Sequence, residues 1–106
     1  MSITAKSGWT SREIPMRYID VKWLHDNEEY PIRLVSEVGP DNFEIRKLEF
    51  FKDGRCGFAC KSDASFGVEL GSATVPTLDE INANSEFDGE EIGRSDFEKL
   101  WTTFVG

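Results

Sequence analysis

The chain has 106 residues, of which 12 are basic and 20 are acidic, so its formal net charge at pH 7 is −8. This length suits one domain, and the aromatic residues (eight Phe, three Trp and two Tyr) can anchor a core, which argues against intrinsic disorder. The acidic balance argues against nucleic acid as a partner. No apolar run approaches the ~20 residues of a membrane span and no secretory leader is evident, so we expect a cytoplasmic protein with no membrane partner.

The pattern of the N-terminal segment differs from that of the residues after it. Residues 1–15 mix small and polar side chains and are predicted to form a flexible arm, with Trp9 as a candidate anchor. This leaves residues 16–106 as a single domain. Residues 17–25 alternate between apolar and polar side chains, which is typical of a half-buried strand. A second strand is predicted over residues 30–38, and the turn sequence Gly-Pro-Asp-Asn follows it.

The third predicted strand, over residues 43–51, has an irregular pattern. Its apolar residues change faces at Arg46–Lys47, which predicts either a bulge at that point or a strand buried on both faces. The Asp-Gly turn signal that follows predicts a hairpin into a fourth strand over residues 55–62. Residues 63–67 are predicted as a loop, and residues 68–70 are a candidate short edge strand.

Two cysteines lie in the fourth predicted strand. Cys56 and Cys60 are four residues apart, so a strand would separate their Cα atoms by about 13 Å, which is too far for a disulfide. We expect two reduced, buried thiols on one face. A metal site is not predicted, because His25 is the only histidine. No nucleotide-binding or nucleophile-elbow motif is present, so no catalytic residue and no cofactor is assigned.

Two helices are predicted near the C-terminus. Thr77 and Glu80 match a capping box before a short helix over about residues 78–83, and Ser95 and Glu98 match a second one. The second helix carries one apolar stripe: Phe97, Leu100, Trp101 and Phe104. Strands come first and helices last, which predicts an α+β fold: a four- to five-stranded antiparallel meander sheet with two C-terminal helices packed on one face.

Three strings of sequence carry a family resemblance. They are MRYIDVKWLH at residues 16–25, EIRKLEFFKDG at residues 44–54 and PTLDEIN at residues 76–82. In this order they resemble a family of small bacterial proteins classed as a domain of unknown function. The resemblance covers about residues 16–101, leaves residues 1–15 outside, and implies no activity or cofactor.

The negative charge is concentrated near the C-terminus. Residues 79–106 hold eight acidic and two basic residues, a net charge of −6, whereas residues 1–78 carry −2. First helical turns, where the helix dipole favours anions, explain four of these acids: Asp79, Glu80, Asp96 and Glu98. The other four lie in a predicted loop without that explanation: Glu86, Asp88, Glu90 and Glu91.

Our first hypothesis is therefore a protein-binding module. The acidic loop would bind a basic protein, with Trp9 or Phe66 as aromatic anchors. Immunity proteins that neutralise a basic toxin are an analogy for this function. Solubility and helix capping are the alternative explanation of the charge. The oligomeric state stays open.

A small-ligand or enzymatic site on the charged sheet face is the second hypothesis. Arg46 would orient an anionic ligand in a bidentate fork, and a desolvated glutamate would act as the base. The candidate residues are His25, Glu37, Glu44, Arg46, Lys47 and Glu49. Two plainer alternatives stay open: a solvated sheet face with cross-strand ion pairs to Arg33 or Lys22, and a turn histidine that hydrogen-bonds a neighbouring backbone group.

Overall fold

A computed structural model describes residues 16–65 and 67–106, so the predicted N-terminal arm and the candidate anchors Trp9 and Phe66 lie outside the described residues. Within these described residues the chain forms six strands and two helices. In chain order these are β1 (Arg17–Trp23), β2 (Arg33–Val38), β3 (Glu44–Phe50), β4 (Cys56–Cys60), β5 (Asp63–Ala64), α1 (Leu78–Asn82), β6 (Phe87–Glu91) and α2 (Arg94–Phe104).

All six strands form one open antiparallel sheet with the order β5-β4-β3-β2-β1-β6. The α+β class is confirmed, but the described sheet has six strands and not four to five. β1 to β5 form a meander, and β6 returns to pair with β1 at the opposite edge, from Ile19–Glu91 to Trp23–Phe87. The sequence of β6, FDGEE, has little strand propensity, so only its pairing with β1 makes it a strand.

The other edge of the sheet also differs from the prediction. Its edge strand is β5, at residues 63–64, where a loop was expected. The predicted edge strand at residues 68–70 does not form. Val68 instead closes a turn, because its N–H donates to the carbonyl oxygen of Ser65, and its side chain is buried.

A bulge interrupts the pairing of β2 with β3. Glu37 pairs with Arg46 while Val38 pairs with Glu44, so Ile45 is the extra residue. The predicted bulge is confirmed, one residue earlier than expected. Its consequence is that Glu44 and Arg46 point to opposite faces of the sheet, although they are two residues apart.

The two helices pack against opposite faces of the sheet. Tyr18, Val35 and Leu48 form one buried cluster with Phe97 of α2. The other buried cluster contains Ile19, Val21 and Val38, and here the packed helix is α1, through Leu78 and Ile81. Because neighbouring residues of a strand point to opposite faces, the expected packing of both helices on one face is wrong. The reason is β6, which lies between the helices and carries the chain around the sheet edge.

The two predicted helix starts have different outcomes. The capping box of α1 is confirmed, since Thr77 Oγ1 accepts from the N–H of Glu80 and the Thr77 N–H donates to Glu80 Oε1. α2 begins two residues earlier than expected, with Gly93 and not Ser95 as its N-cap. The apolar stripe of α2 is confirmed for Phe97, Leu100 and Trp101, which join the same core, whereas Phe104 is 46% exposed and contacts the ring of Phe50. Within residues 16–65 and 67–106, no helix is long and apolar enough to cross a membrane.

Candidate functional site

Arg46 lies between the sheet and α2, where two carboxylates hold it. Its Nε donates to Glu37 Oε1 at 2.6 Å and its Nη2 to Glu98 Oε2 at 2.7 Å. The guanidinium carbon lies 4.8 Å from the ring centre of Phe97 and 4.9 Å from that of Trp101. The hydrogen bonds to Glu37 and then Glu98 raise the pKa of Arg46, and those from Arg46 lower the pKa of Glu98. Arg46 therefore binds two carboxylates of its own chain and fastens α2 to the sheet.

Glu37, on β2, links Arg46 to a third side chain, that of Tyr18. It is 6% exposed, and its Oε2 accepts from the Tyr18 hydroxyl at 3.1 Å. Burial, together with the hydrogen bond to Glu37, raises the pKa of Tyr18. Among the described residues, the hydrogen-bonding partners of the Glu37 carboxylate are Arg46 and Tyr18, so this carboxylate is used within the buried contact between the sheet and α2.

Lys47, Glu44 and Glu49 lie on the opposite face of the sheet. The Lys47 Nζ is 3.5 Å from Glu44 Oε1 and 3.2 Å from Glu49 Oε2, and all three side chains are largely buried. Glu44 also accepts from the Ser36 hydroxyl at 3.1 Å and from the Gly71 N–H at 2.7 Å. The loop before α1 therefore contacts this face at Glu44, and the ion pairs of this face run along β3.

The predicted cross-strand pairing has a different partner. Arg33 donates two hydrogen bonds to the buried Asp20, at 2.9 Å and 2.6 Å. The hydrogen bond to Asp20 raises the pKa of Arg33. This bidentate pair joins β1 to β2 on the α2 face and does not involve the glutamates of β3.

His25 lies beyond the end of β1, away from both groups. Its Nε2 is 2.7 Å from the carbonyl oxygen of Pro31, and its Nδ1 accepts from the N–H of Asn27 at 3.0 Å. The ring packs 4.7 Å from that of Trp23. Both ring nitrogens hold the turn between β1 and β2, as the turn-histidine alternative describes. The six candidate residues of the second hypothesis thus lie in three separate places.

The four acidic residues of the first hypothesis lie at the β6 edge of the sheet. Asp88 lies opposite Lys22 and Glu90 opposite Asp20, on the α2 face, whereas Glu91 shares the α1 face. All four are exposed. Glu86 precedes the strand, and its Oε1 accepts from the indole N–H of Trp23 at 3.3 Å. We call these four residues the acidic edge: Glu86, Asp88, Glu90 and Glu91.

A side chain from α1 closes the middle of this edge. Asn82 Nδ2 donates to the Gly89 carbonyl oxygen at 3.0 Å, and Asn82 Oδ1 accepts from the Gly89 N–H at 2.7 Å. The Asn82 amide therefore takes the place of a neighbouring strand at this position. Sequence reasoning missed this contact, because seven residues separate the two and no motif marks them.

A cleft lies between α1 and the sheet. It has a volume of 330 Å³ and is lined mainly by apolar side chains, among them Leu34, Ile81 and Phe87. Ser36 and Glu44 lie on its sheet side, and Glu80 and Asn84 on its helix side. The cleft exists because α1 has only five residues and covers part of the apolar sheet face. It was also missed from the sequence, since a cavity depends on how far apart two elements pack.

A comparison with known protein families finds one family that matches most of the chain. The family described as "Domain of unknown function (DUF6881)" matches residues 17–106. The chain belongs to the DUF6881 family. The resemblance to a domain of unknown function is thereby confirmed, with a match that begins one residue after the predicted start. Searches of the curated proteins and of the solved structures found no match for this DUF6881 protein.

The two thiols of the DUF6881 domain differ in environment. Both cysteines are free and half-buried, and they share the α2 face, because they pair with Phe50 and Arg46. Burial raises the pKa of Cys56 to about 11, while hydrogen bonding from the Ser62 N–H lowers the pKa of Cys60. In the part of the domain that the structure describes, no three His, Cys, Asp or Glu side chains are grouped to hold a metal ion.

Proposed function

We propose that this DUF6881 domain is a protein-binding module that docks a basic segment of a partner on the acidic edge. One observation carries the proposal: among the described residues, no ion pair involves any of the four acids of this edge, although they lie within six residues of chain. The carboxylates of the sheet interior are used differently, since Asp20, Glu37 and Glu44 each pair with an Arg or Lys.

Physical chemistry favours a cationic partner at such an edge. Like charges held close together repel, and a partner's lysines or arginines relieve this repulsion while gaining Coulomb attraction. The same field accelerates encounter with a basic protein and is screened by salt. Neutralisation of a basic toxin by a bacterial immunity protein remains the nearest functional analogy, and the partner is defined only by its charge.

Recognition at this edge relies on side chains. Strand addition would need the free N–H and carbonyl of β6, and at Gly89 both are occupied by Asn82. Charges on an edge strand also prevent sheets from associating with each other, which is a function that needs no partner. The experiment must therefore separate docking from the prevention of self-association.

The test compares two triple variants that change the net charge equally. One neutralises three of the four acids of the edge, Asp88→Asn with Glu90→Gln and Glu91→Gln. The matched control neutralises three exposed glutamates elsewhere, Glu28→Gln, Glu29→Gln and Glu69→Gln. The probe is a lysine-rich peptide, titrated calorimetrically at low and at near-physiological salt, with the oligomeric state measured by sedimentation.

We expect the edge variant to bind the peptide about tenfold more weakly, because three exposed ion pairs together contribute about 1.4 kcal/mol. The control should bind within about twofold of the wild type. Equal weakening by both triples would mean that only net charge matters, and the proposal would fail. Self-association of the edge variant with unchanged peptide binding would show that these charges serve solubility alone.

A further inference from the structure

The cleft and the acidic edge meet at β6. Phe87, the first residue of β6, lines the cleft, and Glu86 precedes it in the acidic edge. Glu91 points to the same face of the sheet as Phe87. On the helix side, Glu80 and Asn84 form part of the lining. An apolar depression therefore lies beside two of the four carboxylates of the acidic edge, Glu86 and Glu91, whereas Asp88 and Glu90 point to the other face of the sheet.

The charged groups around the cleft are mostly negative. Of its four polar lining residues, two are carboxylates, Glu44 and Glu80. Glu80 keeps its charge readily, because hydrogen bonds from Thr77 lower its pKa. Among the described residues that line the cleft, none is Lys or Arg, although Lys47 reaches Glu44 from the side. An occupant that carries positive charge beside an apolar group matches this arrangement.

We infer that the cleft receives one aliphatic side chain of the basic segment that docks on the acidic edge. The inference rests on the proposed function and adds what that function lacks: an anchor that gives affinity beyond charge. Binding energy at protein interfaces concentrates on apolar anchors in desolvated pockets, and charged rims add specificity and rate.

The size and shape of the cleft favour a side chain of a larger partner. Its 330 Å³ lie at the small end of the range of ~300–1,000 Å³ for ligand pockets, and it is open to solvent. An open cleft of this size buries less of a free small molecule than an enclosed pocket does. A side chain delivered by a docked segment needs no enclosure, because the partner itself covers the opening.

Leu34 is the residue with which to test the anchor. It is the second residue of β2, lines the cleft and is half-buried. It is not a member of either buried cluster, whereas Ile19, Val21 and Val38 are. Leu34→Ser thus removes apolar surface from the cleft without changing charge. Leu24→Ser is the matched control, because Leu24 is 59% exposed and lies outside the cleft.

The experiment uses two synthetic peptides of equal charge, both lysine-rich, one with a central leucine and one with a central serine. Calorimetric titration of the wild-type protein should show the leucine peptide binding about tenfold more tightly, at the low end of what burial of an aliphatic side chain provides. Leu34→Ser should reduce this preference to about twofold, and Leu24→Ser should leave it near tenfold. Thermal unfolding confirms that both variants are folded.

Methyl chemical shifts of the wild-type protein give a second readout that needs no variant. The leucine peptide should shift the methyl signals of Val75 and Ile81, which line the cleft, and the serine peptide should not. Equal affinity of the two peptides, with these methyls unmoved, overturns the anchor but leaves the docking function intact. If neither peptide binds at low salt, the docking function fails and the anchor fails with it. If n-hexylamine alone occupies the cleft as tightly as the leucine peptide, the site belongs to a small molecule and the inference is wrong.

Discussion

Replacing Arg46 with methionine tests whether the contact between the sheet and α2 depends on this one guanidinium. Methionine keeps much of the length and the apolar stem of the side chain, so contacts with Phe97 and Trp101 are partly retained. What disappears is the positive charge and four hydrogen bonds, two to Glu37 and two to Glu98.

The size of the effect follows from the burial of the two carboxylates. The Glu98 side chain is 40% exposed, so water replaces its lost partner at little cost. The Glu37 side chain is 8% exposed and keeps only the Tyr18 hydroxyl, so it becomes a buried and nearly unpaired charge. Breaking a buried pair in this way costs about 3 kcal/mol. For a chain of this length, that corresponds to a fall in Tm of about 12 °C.

Arg55→Met is the matched control. Arg55 also pairs with a carboxylate, Asp53 at 2.7 Å, and lies 4.8 Å above an aromatic ring, that of Phe51. Both members of this pair are about half exposed, so we expect a loss below about 0.5 kcal/mol. Urea unfolding followed by tryptophan fluorescence measures both variants, and the double variant Arg46→Met with Glu37→Gln should recover about 1–2 kcal/mol of the single loss.

Two results would refute this reasoning. If Arg46→Met destabilises the protein no more than Arg55→Met, Glu37 is hydrated in the native state and the network does not hold α2. If the double variant is less stable than Arg46→Met alone, the loss does not come from an unpaired carboxylate but from packing around the guanidinium.

Three further predictions concern packing, pH and thiol reactivity. Gly89→Ala should lower the free energy of unfolding by about 1–2 kcal/mol in urea titrations, because the new Cβ would lie 3.0 Å from Leu78 Cδ2. Hydrogen bonding from Arg46 lowers the pKa of Glu98 below its usual value of 4.5. The stabilisation from this ion pair is therefore present above pH 4.5 and is lost as the pH falls through the lowered pKa of Glu98. Glu98→Gln should remove this part of the acid destabilisation. With a maleimide at pH 7, Cys60 should react faster than Cys56, whose pKa is about 11, so Cys60→Ser should abolish the fast phase.

Each of these has a distinct contrary outcome. An unchanged urea midpoint for Gly89→Ala would mean that α1 moves freely from β6. Parallel pH profiles of the wild-type protein and Glu98→Gln would show that the carboxylate gains nothing from Arg46. Equal reaction rates of the two thiols would contradict the burial of Cys56.

The sequence was informative about β1 to β4 because their pattern is local. Alternation along residues 17–23, the Asp-Gly turn before β4 and the capping box at Thr77 each arise within a few residues, and the structure has all three. The bulge near Arg46 was also visible, because the apolar residues of this strand change parity there. Its exact residue, Ile45, depends on the pairing with β2 and was missed by one position.

The candidate sites were predicted less well, because charged residues find partners that are distant in the chain. Arg46 was expected to face a ligand, and its partner Glu98 lies 52 residues away on a helix that the sequence could not orient. Glu44 and Arg46 were expected to act together, and the bulge separates them onto opposite faces. The concentration of acids at residues 86–91 was readable from the sequence, but that they lie on an edge strand was not.

The amino-acid sequence by itself therefore determined the class of fold, the order of the meander, the amphipathic stripe of α2 and the place in the chain where negative charge accumulates. These follow from residue periodicity and composition, which act over a few residues. Only the tertiary structure decided that β6 completes the sheet beside β1, that the helices cover opposite faces, and that Asn82 closes the edge at Gly89. The first two depend on contacts between segments far apart in the chain, and the third depends on how α1 packs beside β6, so none of them is visible in the residue periodicity.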